Sequence, residues 1–296
     1  MSKENKAIWI SIIVAALFAI LGLSFGYYSN SQVILFDGIY SLMSVVLSYA
    51  AYWVMLQVES DSEDIRFPFG RANFEPMFVL IKNIILIIIC TLSIVNAIFE
   101  ISNGGNTPDA EAGSFYASVS FLGCFIVYIW LSKFNRKLNS PLVKTEMNQW
   151  LGDTLLSAGI LIGFLFISFY GEQLDEKYTR YIDPSLLLIT SLAFLLFPLK
   201  SIKETFLELI FMNVDKSLYQ QLDDYAKDLA ISYGSSYKLR AIKIGRELKI
   251  ELNICTDKTA IDIDKMDKIR EQLIKLSPDF KKHWININFT KNKAWI

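Results

Sequence analysis

Hydrophobic and polar positions follow one rule up to about residue 212 and another beyond it. Ahead of that point lie six apolar runs, at residues 8–28, 32–57, 74–101, 113–134, 146–170 and 183–206. Each is long enough to cross a hydrocarbon layer of about 30 Å as a helix. The first follows MSKENK. It is too long for a signal-peptide core and no small-residue cleavage site closes it, so it is read as a transmembrane helix. Beyond residue 212 the periods change. Residues 216–233 have helical spacing, YKLRAIKI and ELKIELNI read as strands, and Gly245 with Arg246 between them predicts a hairpin turn. Residues 261–277 are helical again and HWININF alternates as a last strand. The expected fold class is an α-helical membrane protein: a six-transmembrane-helix bundle over residues 1–212, then a two-layer α+β domain over 213–296 in the order α-β-β-α-β.

The loops between the runs differ in charge. Loop 132–145 carries Lys133, Arg136, Lys137 and Lys144, and the N-terminus carries Lys3 and Lys6. Loop 102–112 has no Lys or Arg, loop 171–182 has Lys177 and Arg180 among several acids, and loop 58–73 carries both signs. Basic loops on the side of the N-terminus place both termini in the cytoplasm.

Composition sharpens this. The chain of 296 residues is 53% hydrophobic, above the roughly 45–50% of soluble domains. A formal net charge of -1 and the lack of a basic stripe give no reason to expect nucleic acid. Cys90, Cys124 and Cys255 are far apart in sequence, two of them inside apolar runs, and read as small core residues. His283 is the one histidine. There is no nucleophile paired with a base, no cofactor motif and no Gly-rich phosphate loop, so neither an enzyme nor a bound cofactor is expected.

The polar residues within the apolar runs carry the candidate chemistry. LFDGIYSLMS places Asp37, Tyr40 and Ser44 on one helix face, with Ser41 beside them. The third run has Glu75 near its start, Lys82 and Asn83 two turns deeper, and Asn96. The fifth has Glu146, Gln149, Asp153 and Ser157 on one face. Small hydroxyls such as Ser41, Ser44 and Ser157 also serve helix packing, Tyr40 also suits simple packing, and Asn96 suits a helix-helix hydrogen bond. Asp37, Lys82 and Asp153 differ, because a charge at membrane depth costs about 2.5–3.5 kcal/mol on insertion scales and faces a bundle interior or a water-filled path. The alternatives for them are structural pairing and a permeation path.

SQVILFDGIYSLMS, RFPFGRANFEP and QWLGDTLLSAGILIG, in that order and followed by an α-β-β-α-β domain, resemble the cation diffusion facilitators, which exchange divalent metals for protons. The resemblance covers nearly the whole chain and implies a ferredoxin-like cytoplasmic domain that dimerises. It places the four transport-ligand positions at Tyr40, Ser44, Gln149 and Asp153, where zinc-moving members carry Asp or His. Asp37 answers a second helix-2 aspartate that is not usually a ligand. A loop metal site would fall at Asp64, Phe67 and Arg71 and is expected to be missing. Asn73 stands where the family signature has the lysine of a dimer-interface charge interlock. No metal is placed at His283.

The donor set bears on the ion. Zinc favours nitrogen, sulfur and carboxylate ligands, whereas oxygen sets suit Mg²⁺, Mn²⁺ or Ca²⁺. With one carboxylate at the four positions, a useful site needs Asp37 to join Asp153. Mg, Mn, Fe or Ca is expected ahead of Zn. Lys82 and Glu75 are the candidate coupling or counter-ion groups, with Lys82 either released from Asp153 when cation arrives or paired with it permanently. The expected function is a secondary active cation transporter, a homodimer among lipids in a bacterial cytoplasmic membrane, exporting a divalent cation against protons by alternating access. The alternative is a non-transporting relative acting as a scaffold or sensor. A third reading is a transporter of an organic ion that contacts Lys82.

Overall fold

The computed structural model describes residues 3–59, 65–138, 141–170, 176–233, 236–258, 260–280 and 282–296; Asp64 of the loop-site expectation lies outside them. Six long helices carry the apolar runs: α1 (Lys3–Tyr28), α2 (Gln32–Glu59), α3 (Phe74–Ser102), α4 (Ala110–Leu138), α5 (Pro141–Tyr170) and, after a short α6 (Glu176–Thr179), α7 (Ile182–Leu209). All six contain stretches long and apolar enough to cross a membrane, and the chain is a multi-pass membrane protein. The helices are longer than the span requires. The 29 residues of α3 extend about 43 Å at 1.5 Å per residue, against a hydrocarbon layer of about 30 Å.

The surplus helix length explains how the chain divides. One compact unit is Met1–Ala50 with Lys82–Lys200; the other is Ala51–Ile81 with Ser201–Ile296. The second unit therefore includes the ends of α2, α3 and α7.

In the first unit α4 packs along α5, and α1 packs on both. Its outer surface is apolar: Leu92, Phe99 and Ile162 are all exposed. Helices α1 and α2 cross at glycines. A Cβ on Gly22 would sit 2.7 Å from Gly38 Cα, and one on Gly38 would sit 2.5 Å from Leu23 N. Gly22 and Gly26 form the small-x-x-x-small spacing that lets helix backbones approach in a membrane. At the ends of these helices Asp183, in the first turn of α7, is fully buried. It accepts hydrogen bonds from Ser31 Oγ at 2.6 Å, Gln32 N at 2.9 Å and Asn106 Nδ2 at 3.3 Å. A carboxylate from another helix thus caps the α2 N-terminus and meets its positive dipole end.

The second unit holds α8 (Lys216–Tyr233), β1 (Tyr237–Ile244), β2 (Glu247–Cys255), α9 (Ile263–Lys275) and β3 (Lys282–Thr290). The sheet order is β1-β2-β3; β1 and β2 are antiparallel, β2 and β3 parallel. The parallel pair needs a crossover, which α9 supplies. Leu222, Ala226 and Ala230 of α8 and Ile269 and Leu273 of α9 are buried with Leu239 and Ala241 of β1, Leu248, Ile250, Leu252 and Ile254 of β2, and Ile287 of β3. Alternation along the strands sends these residues to the core. Asp262 caps α9, accepting from Asp264 N. Gly245 turns the hairpin with φ 56°, and an added Cβ would lie 2.8 Å from Glu75 Oε2. His283 Nε2 lies 2.9 Å from Ser277 Oγ, and the ring packs edge-on to Phe280.

Candidate transport site

Within the first unit a cavity of about 290 Å³ opens between helices. Helix α2 supplies Asp37, Tyr40, Ser41 and Ser44 to its wall, the full polar face read from the 3-4 spacing. Helix α5 supplies Gln149, Asp153 and Ser157, and α3 supplies Lys82. Six of the seven transport-site and counter-ion candidates therefore meet in one place: Asp37, Tyr40, Ser44, Lys82, Gln149 and Asp153.

Each is held by its own neighbours. Asp37 is buried and accepts a hydrogen bond of 2.7 Å from the Tyr116 hydroxyl of α4. The ring of Tyr40 packs edge-on to Phe194 of α7 at 4.4 Å and against Phe36 at 6.0 Å. Gln149 Nε2 donates to Ser44 Oγ at 3.0 Å, joining two of the four family ligand positions and leaving the Gln149 amide oxygen available. Asp153, half-buried, follows Gln149 by one turn and faces the same space.

The seventh residue is elsewhere. Glu75 does not line the cavity; its carboxylate meets Arg246 Nε of the β1–β2 turn at 3.2 Å. Glu75 sits in the first turn of α3, seven residues or about 10 Å of helix before Lys82. Among the described residues no ion pair or hydrogen bond joins Lys82 to Asp153, although both line the cavity. Glu146 of α5 is anchored on α1. It accepts from Ser11 Oγ of α1 at 2.6 Å, and Ser11 Oγ accepts from Trp150 Nε1 at 2.6 Å. Asn96 donates to Gln32 at 3.2 Å and so ties α3 to α2. At the loop positions Phe67 lies under the Arg71 guanidinium at 5.1 Å, and Arg71 also donates to Gln57.

Some residues in or beside the cavity carried no signal in the sequence. Tyr116, which bonds to Asp37 without lining the cavity, and Ser120 lie one turn apart in α4. Ser120 lines the cavity, and among the described residues its buried Oγ has no hydrogen-bond partner. Cys124, one further turn along, lines it as well. The i, i+4, i+8 spacing is the only trace these residues leave, and in an apolar helix it is indistinguishable from packing.

Among the described residues no three His, Cys, Asp or Glu side chains converge as a metal-binding group. What the cavity offers is two carboxylates, the side-chain amides of Asn148 and Gln149, several hydroxyls, the Cys124 thiol and one ammonium. Such a set suits a hard dication that keeps part of its water, and it lacks the imidazoles of a zinc site.

Residues 8–210 match the cation efflux transmembrane domain family. The chain is 28% identical over 228 residues to the manganese efflux system protein MneP of Bacillus subtilis, covering 75% of this chain and 73% of that protein. It is 20% identical over 158 residues to the magnetosome protein MamM of Magnetospirillum gryphiswaldense, covering 53% of this chain and 49% of that protein. With six membrane-spanning helices, a polar cavity among them and this match over most of its length, the chain belongs to the cation efflux family, a family of cation transporters.

Proposed function

We propose that this protein exports a hard divalent cation, Mn²⁺ foremost, in exchange for protons by alternating access. One observation carries the reading: the cavity gathers Asp37 and Asp153 with the neutral oxygens of Tyr40, Ser44, Gln149 and Ser120, and holds no imidazole. Asp153 carries the principal charge and Asp37 the second. Lys82 supplies a positive charge that holds the empty site near neutrality, and Glu146 is its counter-ion when the cation enters. A relative named for manganese efflux supports the choice of ion. The working form is a homodimer in a bacterial cytoplasmic membrane with both termini in the cytoplasm. The 213–296 domain holds the two copies together.

The hydrogen bond between Gln149 and Ser44 favours a second reading, because it closes two ligand positions on each other. In that reading the chain is a scaffold or sensor that no longer moves ions. Purified protein in liposomes loaded with a pH-sensitive dye decides between them. Proton flux driven by Mn²⁺ in a panel of divalent and monovalent ions, and lost in Asp153→Asn, supports the exporter. Silence toward every ion from a well-folded protein supports the scaffold. Lys82→Met tests the counter-charge: restored flux from a silent parent identifies the ammonium as the block.

A further inference from the structure

The Tyr116–Asp37 hydrogen bond has a consequence for ion choice. Both partners are buried, and the hydroxyl donates to Asp37 Oδ2 at 2.7 Å. The backbone at Asp37 is fixed as well. Its neighbour Gly38 packs so closely on α1 that an added Cβ would come within 2.5 Å of Leu23 N, and the Tyr116 hydroxyl lies 2.8 Å from where a Gly22 Cβ would sit. Tyr116 itself is wedged against Phe25 with ring centroids 5.9 Å apart. Asp37 therefore faces the cavity with one carboxylate oxygen already engaged and with little freedom to turn.

Resting on the exporter reading above, we propose that Tyr116 is a specificity-determining residue that keeps Asp37 a one-oxygen ligand. A carboxylate offering a single oxygen suits a small dication of near-octahedral geometry that retains water. A carboxylate free to offer both oxygens suits Ca²⁺, which takes six to eight oxygens and accepts bidentate carboxylates. The phenol thereby turns the cavity away from Ca²⁺ and toward Mn²⁺ or Mg²⁺. It also limits how tightly any cation is held, since an ion gripped by both oxygens leaves slowly, and conduction requires binding weak enough for exit.

Tyr116→Phe removes the hydroxyl and keeps the ring in place. Binding of Mn²⁺ and of Ca²⁺ to the purified full-length protein is measured by calorimetry, and cation-driven proton flux is measured in liposomes. Leaving a buried carboxylate oxygen without its donor makes the cation the remaining partner. The expected result is a Ca²⁺-to-Mn²⁺ affinity ratio raised about tenfold, with KM for Mn²⁺ and turnover both lowered. In the Asp37→Asn background the same substitution leaves the ratio unchanged, because the two residues act as one unit. A ratio that stays at the wild-type value in Tyr116→Phe, while the wild type binds and moves Mn²⁺, overturns the role of Tyr116 and leaves the exporter intact. A ratio that rises equally with and without Asp37 also overturns it. Absence of any cation binding or flux in the wild type instead overturns the exporter reading, and this inference with it.

Discussion

Both units bury apolar side chains, Ile34, Ile160 and Phe164 in the first as much as Leu248 and Ile254 in the second, but only the first also leaves large apolar residues exposed along its helices while it buries carboxylates. In the first, Leu92, Phe99 and Ile162 are about two-thirds exposed, while Asp183 and Ser31 are sealed from solvent and Asp37 nearly so. In the α+β domain Leu222, Leu248, Leu252 and Ile254 are fully buried, while Arg240 and Glu251 keep about half of their side-chain surface in water. A lipid-facing surface gains nothing by hiding leucine, so apolar burial says little there. A buried polar group must instead be satisfied by a partner or by a ligand. In water the weight reverses, and apolar burial is the term that folds the domain. The same residue type thus carries different information in the two units. The variants that test this contrast run from the removal of one membrane carboxylate to the removal of one surface pair.

The largest effect belongs to Asp153. Replacing it with Asn removes a charge that costs about 2.5–3.5 kcal/mol to place at membrane depth. If that cost is spent on holding a cation, flux falls about a hundredfold, 1.4 kcal/mol being worth a factor of ten. Glu251→Gln, which neutralises an acid on the open face of the α+β sheet, leaves flux within about twofold. Cation-driven dye quenching in liposomes measures both. Equal effects from the two substitutions would remove the distinction between a polar residue in the membrane unit and one in water.

Next comes apolar burial. Leu252→Ala in the sheet core costs about 2–5 kcal/mol, as other large-to-small core changes do. Ile162→Ala, on the outer surface of the first unit, costs no more than about 0.5 kcal/mol, because lipid tails refill the space. Hydrogen exchange of the full-length protein in lipid discs reads both, through protection of the β2 amides and of the α5 amides. Comparable losses at the two sites would show that residue 162 packs against protein in the working assembly.

Close helix approach gives an effect of intermediate size. Gly22→Ala drives a Cβ against the Gly38 backbone at 2.7 Å, with no flexible side chain to yield. It should cost about 1–3 kcal/mol and loosen the α1–α2 crossing beside Asp37. Gly159→Ala meets nothing within 4 Å and should be neutral or slightly stabilising, since alanine is the better helix former. Thermal unfolding in the same detergent separates the two.

These sites also show what the sequence could and could not reveal. Helical arithmetic along α2 and α5 was enough to put Asp37, Tyr40, Ser44, Gln149 and Asp153 on facing surfaces, because spacing within one helix is fixed by its pitch. Alternation and turn residues located β1, β2 and β3 in the same way. Partners across helices were not legible. Tyr116 reads as packing until α4 is laid against α2, and whether Lys82 and Asp153 share a cavity depends on the rotation of α3, which spacing along one helix does not give. Gly22-x-x-x-Gly26 announces a close crossing but not that Gly38 meets it. Glu75 looked like a membrane acid because it opens an apolar run. Its partner Arg246 lies 171 positions later, beyond any local pattern.

That last pair sets the lower end of the comparison. Arg246 and Glu75 are joined at 3.2 Å with side-chain exposures of 40% and 31%, and Arg240 and Glu251 at the same distance with 49% and 45%. Neither pair is removed from water, so each gains little Coulomb energy and loses side-chain entropy; about 0.2–1 kcal/mol apiece is expected. The first should be the stronger. It ties a turn to a helix end, and Gly245 lies close enough to Glu75 that the carboxylate has little room to move. The second joins neighbouring strands that the ladder already holds in register. A double-mutant cycle on each, read by unfolding of the full-length protein, should give a larger coupling for Arg246–Glu75. Both couplings should shrink as salt rises toward 1 M, where the screening length falls to about 3 Å. A coupling above about 2 kcal/mol that salt leaves untouched would mean that Glu75 is buried in the working assembly and belongs with Asp37 and Asp153 among the membrane acids.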